Sequence, residues 1–187
     1  MWKMHATPVW IGPIKSGNLA VPKETGLRPF ATLVGRSAMN DTKSGWLGTI
    51  SGMPAPGATA ERSKTVGRRE IELFTEITGD RNPLHYDEEA ARASLFGGLI
   101  VQGGVTSGIL NAIVAEDLPG PGTVFLGTEL RFVKAVFVGD TVTGHVEVTK
   151  VREDKPICTL AVSVRNQKGE VCLSGVATTY TVPLRIP

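Results

Sequence analysis

Cysteine is nearly absent from this chain: Cys158 and Cys172 are the only two in 187 residues. Neither belongs to a Cys-x-x-Cys pair or has a histidine at ligand spacing, which argues against a metal centre. Each falls inside a strand-like run, where a small buried apolar side chain is the simplest role. A disulfide between facing strands would fit, but nothing in the sequence requires one. Histidine is almost as scarce, with only His5, His85 and His145. No apolar run approaches the roughly eighteen residues that a membrane span needs. Charge of one sign is lacking too, and the formal net charge of +2 hides an uneven spread. Residues 1–52 hold six Lys/Arg and two Asp/Glu, whereas residues 53–187 hold fourteen and sixteen. The better-patterned part is therefore mildly acidic. Arg68-Arg69 is its only adjacent basic pair, too short a track for a nucleic-acid partner.

Residues 1–60 differ from the rest. Gly, Pro, Ser and Thr are scattered through them, Trp2, Trp10 and Trp46 stand isolated, and neither a helical nor a strand period holds. They read as a disordered N-terminal extension, with Met53-Pro54-Ala55-Pro56-Gly57-Ala58 as a linker or an alternative start. Their acid-poor, Ser- and Lys/Arg-containing composition is also compatible with an organellar transit peptide, although consecutive helix formers are few. Residues 61–187 are expected to form one domain. The cytoplasm is the expected location, or the mitochondrial matrix if the extension is a transit peptide.

From Gly67 the pattern sharpens. Gly67 with Glu70 three positions on reads as the start of a helix running to about Ile77. Asp87 to Ala93 reads as a short helix with acids in its first turn. Gly103-Gly104 opens a longer helix to about Glu116. Val105, Ile109, Ala112 and Ile113 share one face of it and Leu110 and Val114 widen the stripe, so burial on most sides is expected. Beyond Thr123 the period changes from 3.6 to 2. Strands are expected over Val124–Val133, around Val142–Val148, around Cys158–Val164, and from Val171 to Val182, with hairpin turns at Glu153–Pro156 and Asn166–Gly169. An antiparallel meander following one largely buried helix implies an α+β domain.

The chemistry concentrates between Phe74 and Asp87. Gly79-Asp80-Arg81-Asn82-Pro83-Leu84-His85 sets a carboxylate and an imidazole on either side of a bend, because Asn82 precedes a proline and is biased away from helical torsions. Two such groups over a turn can hold one water and move its protons. The same residues are ordinary turn vocabulary, in which Asp80 or Asn82 bonds nearby backbone N–H groups. Alone they serve either reading.

The segment resembles the signature of the MaoC-like, or R-specific enoyl-CoA hydratase (hydratase 2), family. Phe74, the Gly79–His85 run and Ala91 follow that pattern. So do Leu99-Ile100-Val101-Gln102-Gly103, Leu118-Pro119-Gly120-Pro121-Gly122, Val136-Phe137-Val138-Gly139-Asp140-Thr141 and the stretch from Val151 to Ile157. The likeness covers about residues 60–182 in order and spacing. It implies a hot-dog fold, an antiparallel sheet wrapped round a central helix, and reversible hydration of trans-2-enoyl thioesters to R-3-hydroxyacyl thioesters without a cofactor or metal. It also implies Asp80 and His85 as the catalytic pair and the Gly103 N–H as oxyanion hole, at a helix start where backbone donors are unpaired. Asn82 and Pro83 would brace the bend. Gln102 stands where several relatives have His, so it can donate a hydrogen bond but not titrate. Tyr86 and Asp87 are expected to be structural. Arg81, Arg92, Arg131 and Lys134 could meet CoA phosphates, but each fits solvated surface better. The implied substrate is an acyl-CoA or acyl-carrier-protein thioester, and a homodimer is expected because hot-dog sheets usually pair edge to edge. Two other readings stay open: a hot-dog thioesterase, and a non-catalytic acyl-thioester-binding subunit. The intact Asp/His pair counts against both.

Overall fold

The computed structural model describes residues 45–184. In chain order these form β1 (Thr59–Thr65), α1 (Arg68–Thr78), α2 (Pro83–Tyr86), α3 (Glu88–Ala93), α4 (Gly103–Glu116), β2 (Thr123–Phe132), β3 (Thr141–Val151), β4 (Ile157–Asn166) and β5 (Val171–Thr181). The strands make one antiparallel sheet in the order β1-β3-β4-β5-β2. The period-2 residues all face one way. Val142, Val146 and Val148 of β3, Cys158, Leu160, Val162 and Val164 of β4, and Leu173 and Ala177 of β5 are buried together with Leu110, Ile113 and Val114 of α4. Each large aliphatic side chain so buried contributes about 1.5–3 kcal/mol. The sheet closed over a helix is the hot-dog architecture.

Two expectations are corrected. The first concerns the boundary at residue 60, which falls inside β1. Residues 45–58, assigned above to the extension, fold onto the sheet. Trp46 is 3% exposed and its Nε1 donates to the Arg152 carbonyl at 2.7 Å. The Gly45 N–H donates to Glu153 O at 2.8 Å and the Gly57 N–H to Val148 O at 2.7 Å, while Val148 N returns a bond to Ala58 O at 2.9 Å. These bonds join residues about a hundred positions apart, so no local period betrays them. β1 carries no readable period because it is an edge strand whose Thr, Glu, Arg, Ser and Lys side chains stay in or near solvent. Residues 1–44 lie outside the described residues, as do the expectations made for them.

The second correction is smaller. Burial of α4 is complete along one stripe only, Thr106, Leu110, Ile113 and Val114. Val105, Ile109 and Ala112 are half-buried. The sheet covers one side of this helix, and its opposite side shares a groove of about 620 Å³ with Leu73, Phe74 and Ile77 of α1. Cys158 and Cys172 are both buried free thiols, and burial pushes the Cys158 thiol up to about 11.

Candidate active site

The site is built at the end of α1, where that helix is made to stop. Gly67 is its N-cap and the Gly67 N–H donates to Glu70 Oε2 at 2.8 Å. Gly79 ends it in the left-handed conformation, φ 77°, where a side chain would be strained. Asp80 and Arg81 cross the bend. Asn82 then caps α2, its Oδ1 accepting from the Leu84 N–H at 3.1 Å, and Pro83 takes the first helical position, where its missing N–H costs nothing. The bend is closed further by the Asn82 N–H, which donates to Asp80 Oδ1 at 3.1 Å. Asp87 N-caps α3 through bonds from the Glu89 and Ala90 N–H groups. The two readings of the bend therefore hold together: it is a capped turn, and it carries a titratable pair.

His85 is 7% exposed. Its Nδ1 lies 2.8 Å from the carbonyl oxygen of Ile100. A carbonyl only accepts, so Nδ1 carries the proton and Nε2 is left as the nitrogen that faces the bend. Asp80 Oδ2 is 3.6 Å from it, beyond a direct hydrogen bond and near enough for one water to bond both. Asp80 Oδ1 is engaged by Asn82, so Oδ2 is the oxygen available for chemistry. The Asp80 side chain keeps 38% of its surface against 8% for His85, so approach is from the carboxylate's side.

A further set of bonds holds this arrangement from behind. The Thr75 hydroxyl donates to the Asp80 carbonyl at 2.7 Å and accepts from the Tyr86 hydroxyl at 2.5 Å and from Gln102 Nε2 at 3.1 Å. Gln102 is 2% exposed; its amide also lies 3.4 Å from Ile71 O, and its Oε1 has no protein partner. Neither Thr75 nor the Ile100 carbonyl was picked out in the sequence. The available signal was weak: a polar residue on the otherwise apolar side of α1, and a Gln at a position that a helix start buries.

Gly103 is the first residue of α4, three positions after Ile100, and its N–H belongs to the unpaired first turn. A Cβ there would meet the Phe132 ring at 3.0 Å, and Ile100, Gly103, Thr106 and Phe132 share a cavity of about 280 Å³. Gly104 makes room for Phe74: a Cβ would lie 2.1 Å from Phe74 Cζ. It therefore lets α1 approach α4 closely. Neither Asp80 nor His85 lines the 620 Å³ groove between those helices. Among the cations considered for phosphate contact, Lys134 is paired with Glu170 and Arg92 lies 4.0 Å from Glu88. His145 is half-buried on β3, in register with Glu61 and Ser163, and His5 lies outside the described residues. Among those residues no three His, Cys, Asp or Glu side chains cluster to hold a metal ion, and no helix is long and apolar enough to cross a membrane.

A sheet closed over one helix, with a buried imidazole and a carboxylate on a capped bend beside that helix, defines an acid–base hot-dog protein. Comparison with known proteins carries this to a family. The profile of the MaoC like domain matches residues 52–170, and the chain belongs to that family. It is 40% identical over 121 residues to the (R)-specific enoyl-CoA hydratase of Aeromonas caviae, an alignment covering 65% of this chain and 90% of that protein. It is 34% identical over 129 residues to the (R)-specific enoyl-CoA hydratase of Rhodospirillum rubrum, covering 69% and 88%. In three dimensions it is similar to the (R)-hydratase from A. caviae involved in PHA biosynthesis. There the TM-score is 0.66 at 38% identity, covering 69% of this chain and 98% of that one.

Proposed function

We propose that this protein hydrates trans-2-enoyl-CoA reversibly to (R)-3-hydroxyacyl-CoA, with Asp80 and His85 as its acid–base pair. The observation that carries the reading is the buried His85, tied by Nδ1 to Ile100 O, with Nε2 turned to Asp80 Oδ2 at 3.6 Å. Asp80 takes a proton from the water as its oxygen bonds C3 of the enoyl group. Electron density moves through C2 to the thioester oxygen, where the Gly103 N–H at the start of α4 stabilises it. His85, protonated at Nε2 as well as Nδ1, gives its Nε2 proton to C2 as the carbonyl re-forms. Asp80 is left protonated and His85 neutral, and transfer of that proton through one water across the 3.6 Å gap restores both. No redox step or covalent intermediate is needed, and the balance is one water added.

The test is loss of enoyl-thioester absorbance with crotonyl-CoA and longer trans-2-enoyl-CoAs, wild type beside Asp80→Asn. Turnover that disappears in the variant and yields R-configured product supports the proposal. Free thiol released by wild type would instead mean a thioesterase. Silence on every chain length would indicate an acyl-carrier-protein substrate or a binding subunit.

The proposal extends to a second copy of the chain. β2 forms one edge of the sheet and exposes Val124, Leu126 and Phe132, each more than half open to solvent. The other edge, β1, is polar. An apolar unpaired edge invites another strand, and a symmetric partner supplies one.

A further inference from the structure

We infer that Thr75 is a positioning residue for the reaction: it fixes the main chain at Asp80, and Tyr86 and Gln102 fix Thr75. The inference rests on Asp80 and His85 being the reacting pair.

A threonine hydroxyl has one proton to give and two lone pairs to fill. At Thr75 all three are used, by Asp80 O at 2.7 Å, Tyr86 Oη at 2.5 Å and Gln102 Nε2 at 3.1 Å, in a residue only 6% exposed. A hydroxyl inside a helix usually bonds back to the carbonyl four residues earlier. Thr78 does so, donating to Phe74 O at 2.7 Å. Thr75 reaches forward instead, past the end of α1 and onto the bend. Its three partners sit on the three segments that assemble the site. Asp80 carries the carboxylate, Tyr86 follows His85 in α2, and Gln102 is the N-cap of α4 immediately before Gly103. One oxygen atom thus sets the register of carboxylate, imidazole and helix start.

Among the described residues nothing else does this for Asp80. Its other bonds, from its own N–H to Thr78 Oγ1 at 3.2 Å and from the Asn82 N–H to its Oδ1 at 3.1 Å, are exposed and local. The carboxylate hangs two bonds from the Cα, so a shift of the main chain passes directly to Oδ2 and to its distance from Nε2. Displacement of about 1 Å at a reacting group costs up to roughly a hundredfold in rate.

Three variants test the role. Thr75→Val keeps the shape of the side chain and removes all three bonds, Thr75→Ser keeps the hydroxyl, and Tyr86→Phe deletes one incoming bond from a partly exposed ring. For Thr75→Val, kcat should fall about 10- to 100-fold with KM for the enoyl-CoA held within about 2-fold. Thr75→Ser should recover kcat to within about 3-fold, and Tyr86→Phe should lose about 3- to 10-fold. A folding role alone would lower the yield and melting temperature of Thr75→Val while leaving the kcat of its folded fraction unchanged, and that result overturns the inference. If Thr75→Val does not fold, an unchanged kcat in Tyr86→Phe overturns it instead. A wild type without turnover on enoyl-CoA overturns the proposed CoA-thioester activity and not this inference. The ¹⁵N shift of His85 Nε2, recorded without substrate, then decides. A shift moved in Thr75→Val and restored in Thr75→Ser supports the role, and one equal in all three proteins ends it.

Discussion

His85 has only one nitrogen to work with, since the other is committed to a carbonyl, and Asp80 likewise has one oxygen. On the proposed mechanism, neither residue therefore has a substitute. Asp80→Asn, which puts a donor where an acceptor is needed, and His85→Ala should each lower kcat by about 10²- to 10⁴-fold, the usual worth of a positioned acid or base. Far-UV circular dichroism should stay unchanged, and an active variant would remove the residue from the mechanism. The bend that brings the two side chains together was legible in the sequence, because Asp80, Asn82, Pro83 and His85 meet within one short segment. Thr75 and Gln102 were not legible as a pair. They are 27 positions apart and meet only after α1 has packed on α4. The Ile100 carbonyl could not have been read at all, since every residue has one.

At the scale of the element, α1 carries its own charge logic. The Gly67 N–H bond and, after it, Lys64 at 3.2 Å hold the Glu70 carboxyl below its ordinary range. A carboxyl depressed on folding stabilises the protein above its unfolded value, and that stability is lost as pH falls through the lower, folded value. Glu70→Gln keeps an oxygen to accept from Gly67 but gives up the charge, and should therefore cost about 0.3–1 kcal/mol at pH 7. In urea titrations the gap between variant and wild type should close as pH falls below the ordinary Glu range and through the lower, folded value. A gap of equal size at both pH values would assign the effect to packing. The cap itself was readable from Gly67 and Glu70, as were β3 and β4, where apolar and polar residues alternate under direct pressure from the core, and β2 and β5 as runs rich in apolar and β-branched residues. β1 was not, because its residues answer to solvent on an edge and to backbone pairing with β3, neither of which imposes a pattern on side chains.

For the whole molecule, the two edges of the sheet predict different fates. Pairing through β2 gives a particle of twice 19.9 kDa, which light scattering reads directly. Leu126→Lys, a charge on the apolar edge, should shift that mass to the monomer while leaving the monomer folded; no shift would place the contact elsewhere. The dimer was expected from family likeness, but the edge that would form it could be named only once the strand order was known. The seal made by Trp46 has a consequence of another kind. Among the described residues Trp46 is the only indole, and it is shut away beneath the turn between β3 and β4. With Trp2 and Trp10 changed to phenylalanine, the colour of the protein's fluorescence would report on this one contact. A red shift that runs ahead of the loss of strand signal would mean that the chain before β1 peels away first, whereas a single shared transition would make those residues part of the fold's cooperative unit.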